Sequence, residues 1–206
     1  MADNLPQMIL KPLADSERTL WSLPEGWAFL NPGSFGLRLK EVQQARKDLL
    51  DQAESQPVEF LERVAPALHE KTLAVLSEML RCDAEGIGLV SNATEAIDAV
   101  LRVVIPEGKG RILLGDQAYG AVRSASRWTV GDHQLQTVTI PLPVTDPLEI
   151  VQAWREALKS RPSLAIVDHI TSSTALLQPV QEIVAACREA GVPVLVDGAH
   201  APGMID

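Results

Sequence analysis

The segment VLVDGAHAPG at residues 194–203 contains the pattern that decides the fold of this chain. Three apolar residues lead directly into an acid, Asp197, which is followed by a glycine turn and by His200. A short continuous apolar run of this kind is typical of a strand that is buried on both faces of a parallel sheet. A buried carboxylate needs a cation or a hydrogen-bond donor, so Asp197 is the sharpest candidate for a functional residue. The same position also suits a structural acid that caps backbone N–H groups.

We predict that the strand leading to Asp197 begins at about residue 192. Four further apolar runs precede it. They lie at 87–90, 111–115, 136–140 and 164–168, and helical periodicity occupies 93–104, 119–129, 147–159 and 179–190. Strands that alternate with helices predict an α/β fold, in which a mainly parallel sheet lies between two helical layers. Upstream, helical spacing over 37–53 and 58–80 predicts two amphipathic helices, with Pro57 suited to the first turn of the second helix.

The composition argues against several classes of partner. The 206 residues carry a formal net charge of −9, which opposes a phosphate backbone and disfavours DNA and RNA. No apolar run approaches the roughly 18 residues that span a bilayer, and no targeting signal is recognisable, so we expect a cytoplasmic protein with no membrane partner. Cys82 and Cys187 lie far apart without a CxxC spacing, and we expect both to be reduced thiols in the core.

The residues that follow the apolar runs are the candidate site residues, because ligands of open α/β sheets bind beyond the carboxyl ends of the strands. The segment SNATE at 91–95 opens a helix whose free N–H groups suit an anion. Tyr119, the single tyrosine of the chain, lies at a strand-to-helix junction where its ring can cover a flat ligand. His169 and His200 follow two other strands. Each of these positions also has a plain structural interpretation, as an N-cap, a packing residue or a hydrogen-bonded histidine.

Five segments together resemble the class V aminotransferase family of pyridoxal-phosphate enzymes, and in particular its branch of isopenicillin-N-epimerase-like and cysteine-desulfurase-like proteins. They are LNPGSFG (30–36), SNATEAID (91–98), DQAYGA (116–121), VDHITSSTALLQPV (167–180) and VDGAHAPG (196–203). No GxGxxG motif follows a strand and no GxxxxGK motif is present, which disfavours nicotinamide and P-loop nucleotides. The resemblance implies the large domain of a pyridoxal-phosphate-dependent transferase, with three layers (αβα) and incomplete at the carboxyl terminus.

The resemblance implies how the strand ends would hold the ring of pyridoxal phosphate. Asp197 is expected to pair with the pyridine nitrogen and to keep it protonated, which makes the ring an electron sink. His200 is expected to lie next to the phenolic oxygen, with His169 as a second neighbour on that edge. Tyr119 resembles the aromatic residue that stacks over the ring.

The resemblance also implies residues for the phosphate and for the substrate. Ala93 and Thr94 are expected to donate hydrogen bonds to the phosphate. Asn31, Gly33 and Ser34 resemble the amino-terminal stretch that closes over an amino-acid substrate, where small residues permit close backbone approach.

By the same resemblance, the Schiff-base lysine lies beyond Asp206, so we expect no catalytic residue within this chain. We divide the chain into an arm at 1–36 and a partial cofactor-binding domain at 37–206. In the family's seven-stranded sheet, the last two strands insert between the strand of Asp197 and the strand at 87–90, which otherwise lacks a neighbour. We therefore expect half of a homodimeric enzyme, inactive by itself, that transaminates, epimerises or desulfurates an amino acid.

Two other functions remain open from the sequence alone. The first is a half-length protein that binds the cofactor or a partner subunit without catalysis. The second is a metal-dependent hydrolase that uses Asp168, His169, Asp197 and His200, because carboxylates and imidazoles suit zinc or manganese. No HExxH motif supports the hydrolase, and the family resemblance implies no metal site.

Overall fold

The computed structural model describes residues 18–106 and 109–205. The chain divides into two compact units, 1–87 and 88–206. Part of the predicted arm, at 1–17, lies outside the described residues, as does Asp206. The predicted boundary between an arm and a domain at residue 36 stays a prediction.

The first unit is helical in its described part, and the two helices predicted there are present. Helix α1 spans Lys40–Ser55 and α2 spans Ala65–Leu80. Between them lie a helical turn at Pro57–Glu59, with Pro57 in the first turn as predicted, and a π-helical stretch at Phe60–Val64. A single helical turn at Pro32–Phe35 precedes α1. Neither α1 nor α2 contains a fully buried residue.

The second unit alternates helices and strands as predicted. Its helices are α3 (Ala93–Val104), α4 (Gly120–Val130), α5 (Pro147–Leu158) and α6 (Val180–Glu189). Its strands are β1 (Ile112–Gly115), β2 (Leu135–Val138), β3 (Leu164–Asp168) and β4 (Val194–Asp197). In the described ranges, no helix combines the length and the apolar character that crossing a bilayer requires.

The four strands form one parallel sheet in the order β2, β1, β3, β4. Side chains of a strand alternate between the two faces of a sheet. Leu114 and Ile166 accordingly pack with α3 and α4 on one face, whereas Leu113 and Val167 pack with α5 and α6 on the other. This is the predicted three-layer α/β architecture, and it is confirmed.

The segment 87–90 is not a strand, so this part of the prediction is wrong. It pairs with no strand of the described residues, and Leu89 and Val90 are each 49% exposed. An apolar run becomes a strand only where a neighbouring strand satisfies its backbone groups and other elements cover its side chains. In the described residues, the segment 87–90 has no neighbouring strand, and the side chains of Leu89 and Val90 are not covered.

The two cysteines differ in burial. Cys187 is fully buried in α6, as predicted, whereas Cys82 is exposed and the prediction for it is wrong. Cys82 lies just beyond Arg81, which ends α2 in a left-handed conformation with φ of 52°. The helical period of the sequence indicated a helix up to Leu80. It did not indicate that the end of this helix faces solvent.

Candidate active site

The carboxyl ends of all four strands meet at one edge of the sheet, because the strands are parallel. Helix α3 runs from this carboxyl edge to the opposite amino edge. Its C-cap, Ile105, lies at the amino edge, where a Cβ added to Gly110 would be 3.3 Å from Ile105 Cδ1 and 2.7 Å from Ser163 Oγ. Gly110 and Ser163 lie just before β1 and β3. The first turn of α3 therefore lies at the carboxyl edge, and so does the first turn of α4, which follows β1.

Two side-chain hydrogen bonds hold the first turn of α3 in a variant of the capping box, in which Glu95 bonds to the residue before the N-cap. Asn92 Oδ1 accepts a hydrogen bond from Glu95 N–H at 2.9 Å, and Glu95 Oε2 accepts one from Ser91 N–H at 3.0 Å. The N–H groups of Ala93 and Thr94 have no acceptor among the described residues. Both lie at the positive end of the helix dipole, where an anion is stabilised. The turn thus keeps available the two donors that we assigned to a phosphate, and that assignment stays a prediction.

We expect Asn92→Ala to lower the free energy of unfolding by about 1 kcal/mol, because Glu95 N–H loses its acceptor. Asn92→Asp is the matched control, since its carboxylate accepts the same hydrogen bond. Urea unfolding followed by circular dichroism measures both variants. A loss in Asn92→Asp as large as that in Asn92→Ala would contradict the capping role.

Tyr119 is the N-cap of α4, and its side chain is exposed at the carboxyl edge. Its backbone N–H donates to Asp168 Oδ1 at 3.4 Å, which ties the start of α4 to the end of β3. Arg123, in the first turn of α4, donates to the Gly115 carbonyl at 2.8 Å and fixes the turn against the end of β1. The backbone of Tyr119 is therefore anchored while its ring remains accessible to a ligand.

Asp197 ends β4 directly beside Asp168 at the end of β3. Its side chain is half-buried, and its Oδ1 accepts a hydrogen bond from Ala199 N–H at 3.1 Å. No described cation forms an ion pair with Asp197, and its Oδ2 has no described hydrogen-bond donor. His169 and His200 follow the same two strands, are half-buried, and make no ring hydrogen bond to any described residue.

Asp168 is a buried acid at this edge, and the sequence predicted for it only the role of a metal ligand. It is 4% exposed, and its burial together with the charge of Asp197 raises its pKa to about 6. The backbone N–H of Tyr119 and the charge of Arg123 act in the opposite direction. The signal in the sequence was its place as the last residue of a buried strand, just before His169. Its proximity to Asp197 depends on strand pairing, which the sequence does not show.

The loop after β3 is held to the loop after β1. Ser173 Oγ donates to Gln117 Oε1 at 3.3 Å, and Thr171 Oγ1 accepts a hydrogen bond from Leu176 N–H at 2.9 Å. Gln178, at the end of this loop, is buried, and neither polar atom of its side chain has a partner among the described residues. The carboxyl edge is thus bordered by two mutually bonded loops.

The structure brings six of the predicted site residues to one edge of the second unit: Ala93, Thr94, Tyr119, His169, Asp197 and His200. The three residues assigned to the substrate belong to the first unit. Asn31 precedes the helical turn at Pro32–Phe35, and Ser34 Oγ donates to Asn31 Oδ1 at 3.0 Å, with Gly33 exposed between them. Their approach to a substrate stays a prediction.

The structure gives no support to the metal-dependent hydrolase. No group of three or more His, Cys, Asp or Glu side chains that could hold a metal ion occurs in the described part of the chain. That part contains Asp168, His169, Asp197 and His200, the four residues on which the alternative rests.

Comparison with known proteins decides the family. The family model described as aminotransferase class-V matches residues 37–205. The chain belongs to the class V aminotransferase family. Isopenicillin N epimerase of Streptomyces clavuligerus is 32% identical to this class V aminotransferase chain over 86% of the chain and 45% of the epimerase. L-cysteine desulfhydrase of Arabidopsis thaliana is 36% identical over 87% of the chain and 43% of the desulfhydrase. The chain therefore spans about half the length of the curated relatives it matches.

Solved structures confirm the predicted fold of this class V aminotransferase chain. A mutant of C-DES with glycine covalently linked to its PLP cofactor matches with a TM-score of 0.69 over 87% of the chain and 48% of C-DES, at 22% identity. The cysteine desulfurase CsdA of Escherichia coli matches with a TM-score of 0.66 over 84% of the chain and 46% of CsdA, at 18% identity. The fold is that of the pyridoxal-phosphate-dependent transferases, of which the described sheet is one part.

Proposed function

We propose that this chain forms the cofactor-binding half of a pyridoxal-phosphate-dependent enzyme that acts on an amino acid. One observation carries the proposal: two unpaired helix N–H groups, an accessible tyrosine ring and a half-buried carboxylate all lie at the carboxyl edge of one parallel sheet. Membership of the class V aminotransferase family supports the same assignment.

Pyridoxal phosphate fits the residues at this edge. Its phosphate suits the N–H groups of Ala93 and Thr94, and its flat ring suits the accessible face of Tyr119. Its protonated ring nitrogen suits Asp197 Oδ2, the carboxylate oxygen that has no described donor. When bound, the group supplies a ring that withdraws electrons from the α-carbon of an amino acid.

In this proposal the residues of the chain hold the cofactor ring, orient it and control its protonation. Asp197 keeps a proton on the ring nitrogen, and Tyr119 covers one face of the ring and excludes water from it. His169 and His200 lie at the ends of the same two strands, with ring nitrogens that make no described hydrogen bond. We assign them to the phenolic edge, where an imidazole can donate a hydrogen bond to an oxygen.

We further propose that the substrate carries sulfur. The support lies in the relatives, which include the L-cysteine desulfhydrase above and a hercynylcysteine sulfoxide lyase of Schizosaccharomyces pombe, 26% identical over 85% of the chain. The names of these two relatives indicate cleavage of the substrate, whereas the name of the epimerase relative indicates inversion of a stereocentre. An assay of the whole gene product with L-cysteine separates the reactions. Sulfide release supports elimination, loss of optical activity with an intact thiol supports inversion, and transfer of the amino group to a 2-oxo acid supports transamination.

Absence of all three reactions in a protein that still binds the cofactor would favour the non-catalytic binding protein. The predicted homodimer and the predicted cytoplasmic location stay predictions. Sedimentation velocity of the whole gene product, with and without pyridoxal phosphate, measures the oligomeric state.

Equilibrium dialysis of this chain tests cofactor binding. The probe is 4′-deoxypyridoxine phosphate, because it lacks the aldehyde that reacts with surface lysines such as Lys47 and Lys71. We expect one saturable site per chain. The matching compound without phosphate should bind about tenfold or more weakly, since the α3 turn loses its anion. Absence of saturation, or equal affinity for the two compounds, would contradict the proposed function.

A further inference from the structure

Asp168 and Asp197 form an acidic pair on neighbouring strands. Their Cα atoms are register partners in the parallel pairing of β3 with β4. Neighbouring strands lie about 4.8 Å apart, and register partners point to the same face of the sheet. Two residues earlier, Ile166 and Leu195 both pack towards α3 and α4. The two carboxyl groups therefore lie side by side on the face where the first turns of α3 and α4 reach the carboxyl edge.

The two acids differ in depth. Asp168 is 4% exposed and is fixed by the N–H of Tyr119, whereas Asp197 is half-buried and is held by the N–H of Ala199. Asp197 is thus the outer acid, which can reach a ligand. Asp168 is the inner acid, and it is bonded to the turn that presents the tyrosine ring.

No described cation neutralises this pair by direct contact. The charged side chains that act on Asp168 are Asp197 from β4 and Arg123 from α4. Arg123 donates to the Gly115 carbonyl and to the Thr137 hydroxyl, at 2.8 Å and 3.4 Å, and to neither acid. Two adjacent carboxylates that lack a cation repel each other, and a cation placed at the outer acid relieves this repulsion.

We propose that Asp168 is a second carboxylate of the cofactor site, which adds its charge behind Asp197 and so strengthens the binding of a protonated ring nitrogen. This inference rests on the proposed function and goes beyond the family resemblance, which assigns that nitrogen one acid. Asp168 acts through Asp197 and is therefore a positioning residue. Ionisation of Asp168 and binding of the pyridinium are reciprocally coupled. The factor by which ionisation raises the affinity for the pyridinium equals the factor by which a bound pyridinium favours ionised Asp168.

The acidic pair is tested without any ligand by unfolding at different pH values. Because burial and Asp197 raise the pKa of Asp168 to about 6 in the folded chain, the folded state binds this proton more tightly than the unfolded state does. The stability that this bound proton contributes to the folded chain is then lost as the pH rises from about 4 to about 6. Asp168→Asn has no proton to lose. Its unfolding constant, relative to that of wild type, should fall about tenfold or more across this window and stay level above it.

Asp132→Asn is the matched control for this measurement. Asp132 is an exposed acid beside Arg127 at the amino edge, so the variant removes the same charge far from the pair. We expect it to lack the step between pH 4 and 6, with a change of less than about twofold in the same ratio. A flat ratio for Asp168→Asn would overturn the inference.

Dialysis with 4′-deoxypyridoxine phosphate then tests the role in binding. At pH 8 wild type should bind the probe about tenfold more tightly than Asp168→Asn, and at pH 5, where most Asp168 side chains are protonated, the difference should shrink to about twofold or less. The phosphate of the probe also titrates near pH 6, but it does so for both proteins and leaves their ratio unchanged. Asp168→Leu additionally removes the acceptor for Tyr119 N–H. It measures how much of the probe affinity depends on that hydrogen bond and not on the charge of Asp168.

The outcomes are distinct. If Asp168→Asn matches wild type at both pH values while Asp168→Leu loses affinity, Asp168 is only a hydrogen-bond acceptor and the inference is wrong. An equal deficit of Asp168→Asn at pH 5 and pH 8 would assign the loss to altered structure and would also overturn it. If wild type binds no probe, the proposed function fails, and the inference fails with it.

Discussion

Asp197→Ala is expected to weaken the binding of 4′-deoxypyridoxine phosphate by about 100-fold. In the proposed site this carboxylate accepts a charge-assisted hydrogen bond from the ring nitrogen, in a half-buried position without a described counter-ion. Truncating one partner of such a pair costs about 2–5 kcal/mol, and about 2.7 kcal/mol corresponds to 100-fold in a dissociation constant. The probe keeps its phosphate contacts in this variant, so residual binding through the first turn of α3 should remain.

Two further variants make this measurement specific. Asp197→Asn keeps an oxygen for the N–H of Ala199 but loses the charge, and we expect an intermediate affinity. Asp132→Asn, at the amino edge, should leave the affinity unchanged. Equilibrium dialysis at pH 8 measures all of them. An affinity of Asp197→Ala within about threefold of wild type would remove Asp197 from the binding site, because that is under about 1 kcal/mol.

Trp154→Ala is expected to lower the free energy of unfolding by about 3–5 kcal/mol. Trp154 on α5 has no exposed surface and packs with Leu113 of β1 and Ile183 of α6, and is among the largest fully buried side chains. Its indole nitrogen has no partner among the described residues, so the variant loses packing and no described hydrogen bond. Removal of the ring leaves a cavity that the surrounding structure fills only in part.

The matched control is Trp128→Ala, which removes the same side chain from a position on α4 that is 87% exposed. We expect a change within about 0.5 kcal/mol there. Urea unfolding is followed by far-ultraviolet circular dichroism, since tryptophan fluorescence changes with the substitution itself. A loss of less than about 1 kcal/mol in Trp154→Ala would contradict the packing account.

The parallel sheet could be predicted because strands buried on both faces have a characteristic, continuously apolar composition. The segment LAIVD at 164–168 shows this most clearly, since all five of its residues are buried. The segment IGLV at 87–90 has the same composition but forms no strand. The difference is the presence of a paired neighbour, which a local run of apolar residues does not encode.

The candidate site was predictable to the extent that it follows from strand direction. Parallel strands deliver their carboxyl ends to one edge, so Tyr119, His169 and Asp197 could be grouped before the structure was known. The pairing of Asp168 with Asp197 could not, because it depends on which strands are neighbours and in which register. No strand rule places Asn31 or Ser34, which belong to a separate helical unit.

The pairing of β4 with β3 has a consequence for the order of the site. Asp197 stays beside Asp168 only while the two strands keep their register, because a slip by one residue would turn Asp197 to the opposite face of the sheet. A ligand bound to Asp197 therefore stabilises the paired arrangement of the two strands. Amide exchange along 194–197 would then slow on binding.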